Sequence, residues 1–131
     1  MNKLEAVFFD SKKAAFLYGI IKKSENGKRQ FIMDHHKLMQ KLIDFRNSRG
    51  WDEAHSLPNL VKSVNIEAAE ILEIFQWKKT SDELSEDEKT HLKGEIADTL
   101  IYLFYMCDRL NVDPTDVMKA KLEYNKGRKW D

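Results

Sequence analysis

Val64-Asn-Ile-Glu-Ala-Ala-Glu-Ile-Leu-Glu-Ile-Phe-Gln-Trp77 carries apolar residues on nearly every side of a helix, and carboxylates interrupt it. A second stretch does the same: in Glu95-Ile-Ala-Asp-Thr-Leu100, opening the apolar run Ile96 to Met106, an acid again recurs three residues after an acid. Helices this apolar need other helices to cover them. The flanking sequence supplies three. Leu4 to about Lys22 places Leu4, Val7, Phe8, Ala14, Ala15, Tyr18 and Ile21 at spacings of three and four. Asp34 is a cap for a helix carrying Leu38, Leu42 and Phe45 and ending at Gly50, while Asp113-Pro114 opens a short helix ending near Gly127. The two central helices are expected from Leu57 to about Lys79, with Ser56 as N-cap and Pro58 in the first turn, and from about Glu86 to Leu110. The fold class is all-α, a bundle of four to five helices. Residues 1–30, which end in the charged Asn26-Gly27 connection, form an N-terminal helical extension, and 31–131 form the main domain.

Composition narrows the function. The chain has 131 residues with 42% hydrophobic and 34% charged, values of a soluble globular domain, and no apolar run spans a bilayer. No leader pattern opens it, so a cytoplasmic location is expected. Lys plus Arg and Asp plus Glu each total 22, so no net field attracts nucleic acid. The single cysteine, Cys107, lies in an apolar run without an intrachain partner and reads as a small hydrophobe.

The carboxylates are what the core does not explain. Glu67 and Glu70 are spaced i, i+3, as are Glu95 and Asp98, so each pair projects from one helix face with Cβ atoms about 5 to 6 Å apart. Burying one ionised carboxylate without a partner is so unfavourable that it tends to neutralise, and four in one space repel one another as well. No Arg or Lys lies in these helix cores to supply positive charge. Hard cations such as Mg²⁺ or Mn²⁺ are held by carboxylate oxygens and water, so a divalent metal site is the economical reading, against plain solvated acids on amphipathic faces. Glu73, one turn on, either borders this site or faces solvent. A di-iron centre would use two E-x-x-H elements, and the one present, Glu88-Lys-Thr-His91, sits in the polar start of its helix. Asp34-His-His36 likewise reads as a solvated helix start, and no glycine-rich phosphate loop or G-x-S-x-G turn occurs.

The pattern E-x-x-E, 24 intervening residues, then E-x-x-D resembles the signature of the all-α, MazG-like nucleoside triphosphate pyrophosphohydrolases, a family that includes the dCTP pyrophosphatases. Further matches fall in order: Phe45-Arg-Asn-Ser-Arg-Gly-Trp51, His55, Pro58-Asn-Leu60, Phe75-Gln-Trp77, Ile101-Tyr-Leu103, and Lys121 through Asn125 to Arg128. They cover about Asp34 to Trp130. The resemblance implies that Glu67, Glu70, Glu95 and Asp98 bind Mg²⁺, and that a nucleoside triphosphate coordinated to it is cleaved to the monophosphate and pyrophosphate. It also implies that Trp51, His55 and Trp77 surround the base, that Lys121, Asn125 and Arg128 contact phosphates, and that the protein is a homodimer or homotetramer.

Hydrolysis between the α and β phosphates needs a water held in line and charge neutralised on the phosphorus under attack. A carboxylate beside the metal can accept the proton from that water, and Glu70 is the candidate. Lys121 and Asn125 share a helix face, with Arg128 just beyond its end, although a basic C-terminus favourable to the helix dipole gives the same pattern. Two tryptophans can sandwich a base, but a Trp at a helix end is more often core, and stacking does not name the base. The rival readings are a non-enzymatic helical interaction module and a dUTPase-like or phosphoribosyl-ATP pyrophosphohydrolase relative.

Overall fold

The computed structural model describes residues 34–129. They form α1 (His35–Ser48), α2 (Leu57–Phe75), α3 (Glu86–Arg109) and α4 (Pro114–Lys126). The helix expected over Leu4 to Lys22 lies outside the described residues, as does Trp130.

Local chemistry sets each boundary. The Asp34 carboxylate accepts from the His36 N–H at the start of α1. The end of α1 is a Schellman motif: Gly50 has φ of 66°, its N–H donates to the Asn47 carbonyl, and the Trp51 N–H donates to the Arg46 carbonyl. Glycine takes this left-handed conformation without a Cβ penalty, and it turns the chain so that Trp51 folds back over the helix end. Asn111, with φ of 53°, closes α3 the same way, its N–H donating to Asp108 and that of Val112 to Cys107. A capping box of Ser85 and Glu88 starts α3. Asp113 caps α4, accepting from the Thr115 and Asp116 N–H groups, with Pro114 in the first turn.

One boundary differs from expectation. α2 ends at Phe75 rather than near Lys79, and the Lys78 N–H bonds the Phe75 carbonyl in a tight turn. No glycine or proline marks this end. Asp82 and Glu88 fix it instead, by accepting from the Lys79 N–H and pairing with the Lys78 ammonium at 2.8 Å.

α2 and α3 pack along each other, and α1 lies on α3. The core gathers Leu60 from α2 with Tyr102 and Tyr105 from α3, flanked by Leu42, Val64, Ile101 and Met106. Tyr105 donates its hydroxyl to the Leu42 carbonyl at 2.8 Å, tying α1 to α3. This core is small for the apolar content of the helices. Ile66, Leu72 and Phe75 on α2, Leu100 and Leu103 on α3, and Val117, Met118 and Leu122 on α4 are exposed in the single chain. The expectation that flanking helices enclose the two central ones is met on one side only within the described residues. Cys107 is half-buried and free.

Candidate active site

The i, i+3 acids meet where α2 faces α3. Glu67, Glu95 and Asp98 each turn a carboxylate oxygen to within 4.8 Å of the others. Glu67 is 3% exposed, and the Glu95 side chain 12%. Helical spacing explains why: each acid lies on the face its helix turns to its neighbour, among residues that exclude water. Glu70, one turn along α2, is half-buried and within reach of Glu95.

The electrostatics record the conflict. Burial, then the charges of Asp98 and Glu70 together with contact with Glu95, push the Glu67 carboxyl up to about 8. Burial and Glu95 raise Glu70 as well, opposed by His91. The charges of Glu67 and Asp98 add to burial in pushing the Tyr102 hydroxyl up to about 12. His91 Nε2 lies 3.1 Å from Glu95 Oε1, but the other Glu95 oxygen is buried with no hydrogen-bond donor. A buried carboxylate oxygen without a donor, facing further carboxylates, is what a hard divalent cation satisfies, and the all-oxygen donor set fits Mg²⁺ or Mn²⁺. Glu73 is exposed at the rim, on the solvent side of the two alternatives open for it.

The remaining candidates fall into two groups. Trp51 is half-buried, edge-on to Phe45 and 6.0 Å from the His55 ring. His55 is buried against Tyr105 and Tyr102, at 5.1 and 6.0 Å between centroids. Burial, then the Arg46 and Arg109 charges, hold its imidazole below its ordinary pKa, so it is neutral at pH 7. Trp77 stands 88% exposed beyond the end of α2, which removes the reading of it as part of this chain's core. On α4, the Lys121 ammonium lies 4.4 Å from the Tyr124 ring centroid, Asn125 buries an amide oxygen with no partner, and Arg128 follows the Gly127 cap.

One element that the sequence reading missed holds the Trp51 to His55 segment in place. Arg46, buried in α1, binds Asp108 of α3 at 2.9 Å and Asp52 at 3.2 Å. Arg109 binds the same Asp52 carboxylate at 2.8 Å, its backbone carbonyl, and the His55 carbonyl at 2.9 Å. The clue was available: Arg46 stands four residues after Leu42, on the apolar stripe of α1.

Among the described residues no helix is long and apolar enough to cross a membrane. Residues 62–131 match the model of the MazG-like family. The chain is 32% identical over 89 residues to dCTP pyrophosphatase 1 of Homo sapiens, covering 65% of this chain and 52% of that protein. It is 30% identical over 89 residues to the Mus musculus protein of the same name, again with 65% and 52% covered. It thus spans about half the length of these curated relatives. The crystal structure of a pyrophosphatase from Archaeoglobus fulgidus superposes with a TM-score of 0.66 at 42% identity, covering 78% of this chain and 100% of that one. With that match over more than half its length, and the paired acids of α2 and α3 within the matched region, the chain belongs to the MazG-like family.

Proposed function

We propose that this chain is a nucleotide pyrophosphohydrolase that cleaves a nucleoside triphosphate, expected to be a deoxynucleotide such as dCTP, between the α and β phosphates to the monophosphate and pyrophosphate. The observation that carries it is the convergence of the Glu67, Glu95 and Asp98 carboxylates where α2 faces α3, with Glu70 beside them. An interaction module gains nothing from burying such a group, whereas phosphoanhydride hydrolysis needs a site for the cation that accompanies the triphosphate. The pyrophosphatase relatives support the same reaction class.

Glu67, Glu95 and Asp98, with Glu70 beside them, would hold Mg²⁺ or Mn²⁺. When bound, the ion neutralises phosphate charge and lowers the pKa of water. Glu70 is the proton acceptor in this reading: it is half-buried beside Glu95, and burial raises its carboxyl above its ordinary value. Lys121, Asn125 and Arg128 bind phosphate oxygens, Arg128 by its planar fork. Trp51 and Trp77 stand beyond opposite ends of the 19-residue α2, about 28 Å long, so in this reading they stack on one base only when they come from different subunits. Neutral His55 packs beside Trp51, their ring centroids 6.0 Å apart, so its part in this reading is to support the face on which the base stacks.

The functional unit in this reading is a homodimer or homotetramer, because exposed apolar faces on α2, α3 and α4 need covering, as in an obligate interface. A dilution series followed by light scattering checks this, and a stable, active monomer at nanomolar concentration is the contrary result. The activity test is pyrophosphate release from a panel of NTPs, dNTPs and phosphoribosyl-ATP with Mg²⁺. Release from at least one nucleoside triphosphate, abolished by a chelator, is expected. No release from any of them refutes the reading.

A further inference from the structure

At the other end of α3, two imidazoles and a carboxylate from a distant segment meet at one point. His35 Nε2 lies 2.9 Å from Asp113 Oδ2 and His36 Nδ1 lies 3.5 Å from the same oxygen. The rings are 4.0 Å apart between centroids, although neighbouring helical residues ordinarily point about 100° apart. Asp34 completes the group: one of its carboxylate oxygens and a ring nitrogen from each histidine lie within 4.8 Å of one another.

Capping α4 does not use up this carboxylate. Asp113 spends its Oδ1 on the Thr115 N–H, the Thr115 hydroxyl and the Asp116 N–H, which leaves Oδ2 turned to the histidines. Hydrogen bonds from Thr115, then from His35, hold its carboxyl well below the usual range, so it remains an anion at any working pH. One imidazole N–H satisfies Oδ2, and the second ring nitrogen at 3.5 Å is left without that bond. A cavity of about 260 Å³, lined by His35, His36, Met39, Asn111 and Asp113 among others, opens beside them.

We infer that His35, His36 and Asp113, with Asp34 as a fourth ligand or as the orienting partner of His35, form a second cation site, selective for a transition-metal ion of the Zn²⁺ class. The donors decide the class. Imidazole nitrogen suits Zn²⁺, Co²⁺ or Ni²⁺, whereas the α2–α3 acids offer only oxygen and suit Mg²⁺. The two sites are separate, since Asp98 and Arg109 are about three turns apart on α3 and Asp113 lies beyond that. His35 Nδ1 lies 3.7 Å from Asp34 Oδ1, beyond hydrogen-bond distance, so a small approach of Asp34 would bring it to the position of the carboxylate that orients a metal-bound histidine. An ion here joins the first turn of α1 to the corner between α3 and α4. The adjoining cavity leaves room for water or a small anion as a further ligand.

The test is calorimetric titration of Zn²⁺ into the untagged full chain in saturating Mg²⁺, which fills the oxygen-donor site, with Co²⁺ absorption as the spectroscopic readout. One Zn²⁺ per chain at micromolar affinity or tighter is expected, together with a visible Co²⁺ band of nitrogen and oxygen ligation. The double variant His35→Gln/His36→Gln is expected to weaken binding at least about a hundredfold, as loss of two ligands should. Both side chains lie at an open helix start, so the fold is expected to persist, and circular dichroism checks it. Asp113→Asn, which keeps a capping side chain, gives an independent loss. Glu95→Gln and Cys107→Ser are expected to leave stoichiometry and affinity unchanged. Absence of Zn²⁺ binding, equal binding by the double variant, or loss with Glu95→Gln or Cys107→Ser instead overturns the inference.

Discussion

Arg46 and Glu67 are almost equally buried, at 4% and 3% exposed, and both face α3, yet the chain treats their charges in opposite ways. Around Arg46 the account closes: Asp108 and Asp52 take up the guanidinium, and Arg109, also bound to Asp52, balances the second of these two acids. Around Glu67 the neighbouring charges of Asp98, Glu70 and Glu95 all have its own sign and push its carboxyl up. A buried ion pair completed within the chain fixes geometry, here that of the segment bearing Trp51 and His55. A buried cluster of like charges destabilises the isolated chain, and it is explained when a ligand completes it. The same burial therefore marks a strut at one end of α3 and a candidate metal site in its middle.

The largest effects should separate these two kinds of burial. Glu67→Gln, Glu70→Gln, Glu95→Gln and Asp98→Asn are each expected to reduce kcat by about a thousandfold or more, since metal and acid–base contributions amount to several kcal/mol. The metal-free fold should be no less stable, because at Glu70, Glu95 and Asp98 a like charge has gone and at Glu67, protonated below about pH 8, Gln keeps the neutral form. Steady-state kinetics beside urea melts on each variant check this. If any two retained near wild-type kcat at saturating Mg²⁺, the four acids would not be the catalytic group.

Arg46→Met tests the opposite end and should reverse the pattern. It is expected to lower stability by about 3 kcal/mol, the low end for breaking a buried pair, because Asp52 and Asp108 retain access to water. A variant as stable as wild type in urea would show that the cluster is no strut.

A smaller effect follows from the Glu67 carboxyl, raised to about 8 from its ordinary 4.5. The folded metal-free chain holds this proton more tightly than the unfolded one. The resulting stability is fully present below about pH 4.5 and is lost as pH rises through 8, by at most about 1.4 kcal/mol per pH unit for one proton. Urea midpoints measured in chelator at pH 5, 6.5 and 8 should fall in that order, and Mg²⁺, which favours the ionised acids, should flatten the trend. A metal-free profile rising from pH 5 to 8 would contradict the assignment of burial and like charge as the cause.

How much of this was legible in the sequence depends on the range over which each feature is encoded. Caps and turns at Asp34, Gly50 and Asp113 were readable because the residues that make them are adjacent, whereas Ser56 takes the expected N-cap position of α2 without a side-chain capping bond. Glu67, Glu70, Glu95 and Asp98 stood out because acids at i, i+3 contradict the apolar segments around them. The end of α2 at Phe75 was not readable, being fixed by Asp82 and Glu88 from the following segment rather than by a helix breaker. Nor was the Arg46 cluster, whose acid on α3 lies 62 residues away. The same holds for the meeting of His35 and His36 with Asp113, which turned a helix start that read as solvated into a pair of tertiary contacts. Periodicity shows which side of a helix is apolar, and it does not say what covers that side.

Trp77 offers the finest test, because it belongs to neither kind of burial. At 88% exposed it leaves no cavity when truncated, so Trp77→Ala should shift the stability of the single chain by no more than about 0.5 kcal/mol. A core tryptophan would instead lose about 3 to 5 kcal/mol. In the proposed function the partner of this large, open aromatic side chain beyond the end of α2 is the base. Kinetics should then show KM raised and kcat/KM lowered about tenfold to a hundredfold, the 1 to 3 kcal/mol of a stacked base, with kcat affected less unless stacking also aligns the phosphates. Nucleotide binding should perturb the tryptophan fluorescence of the wild type, and the perturbation should shrink in the variant. Should the variant keep its kcat/KM and its fluorescence response but dissociate on dilution, Trp77 would be a contact between subunits, and the base would rest on Trp51 without it.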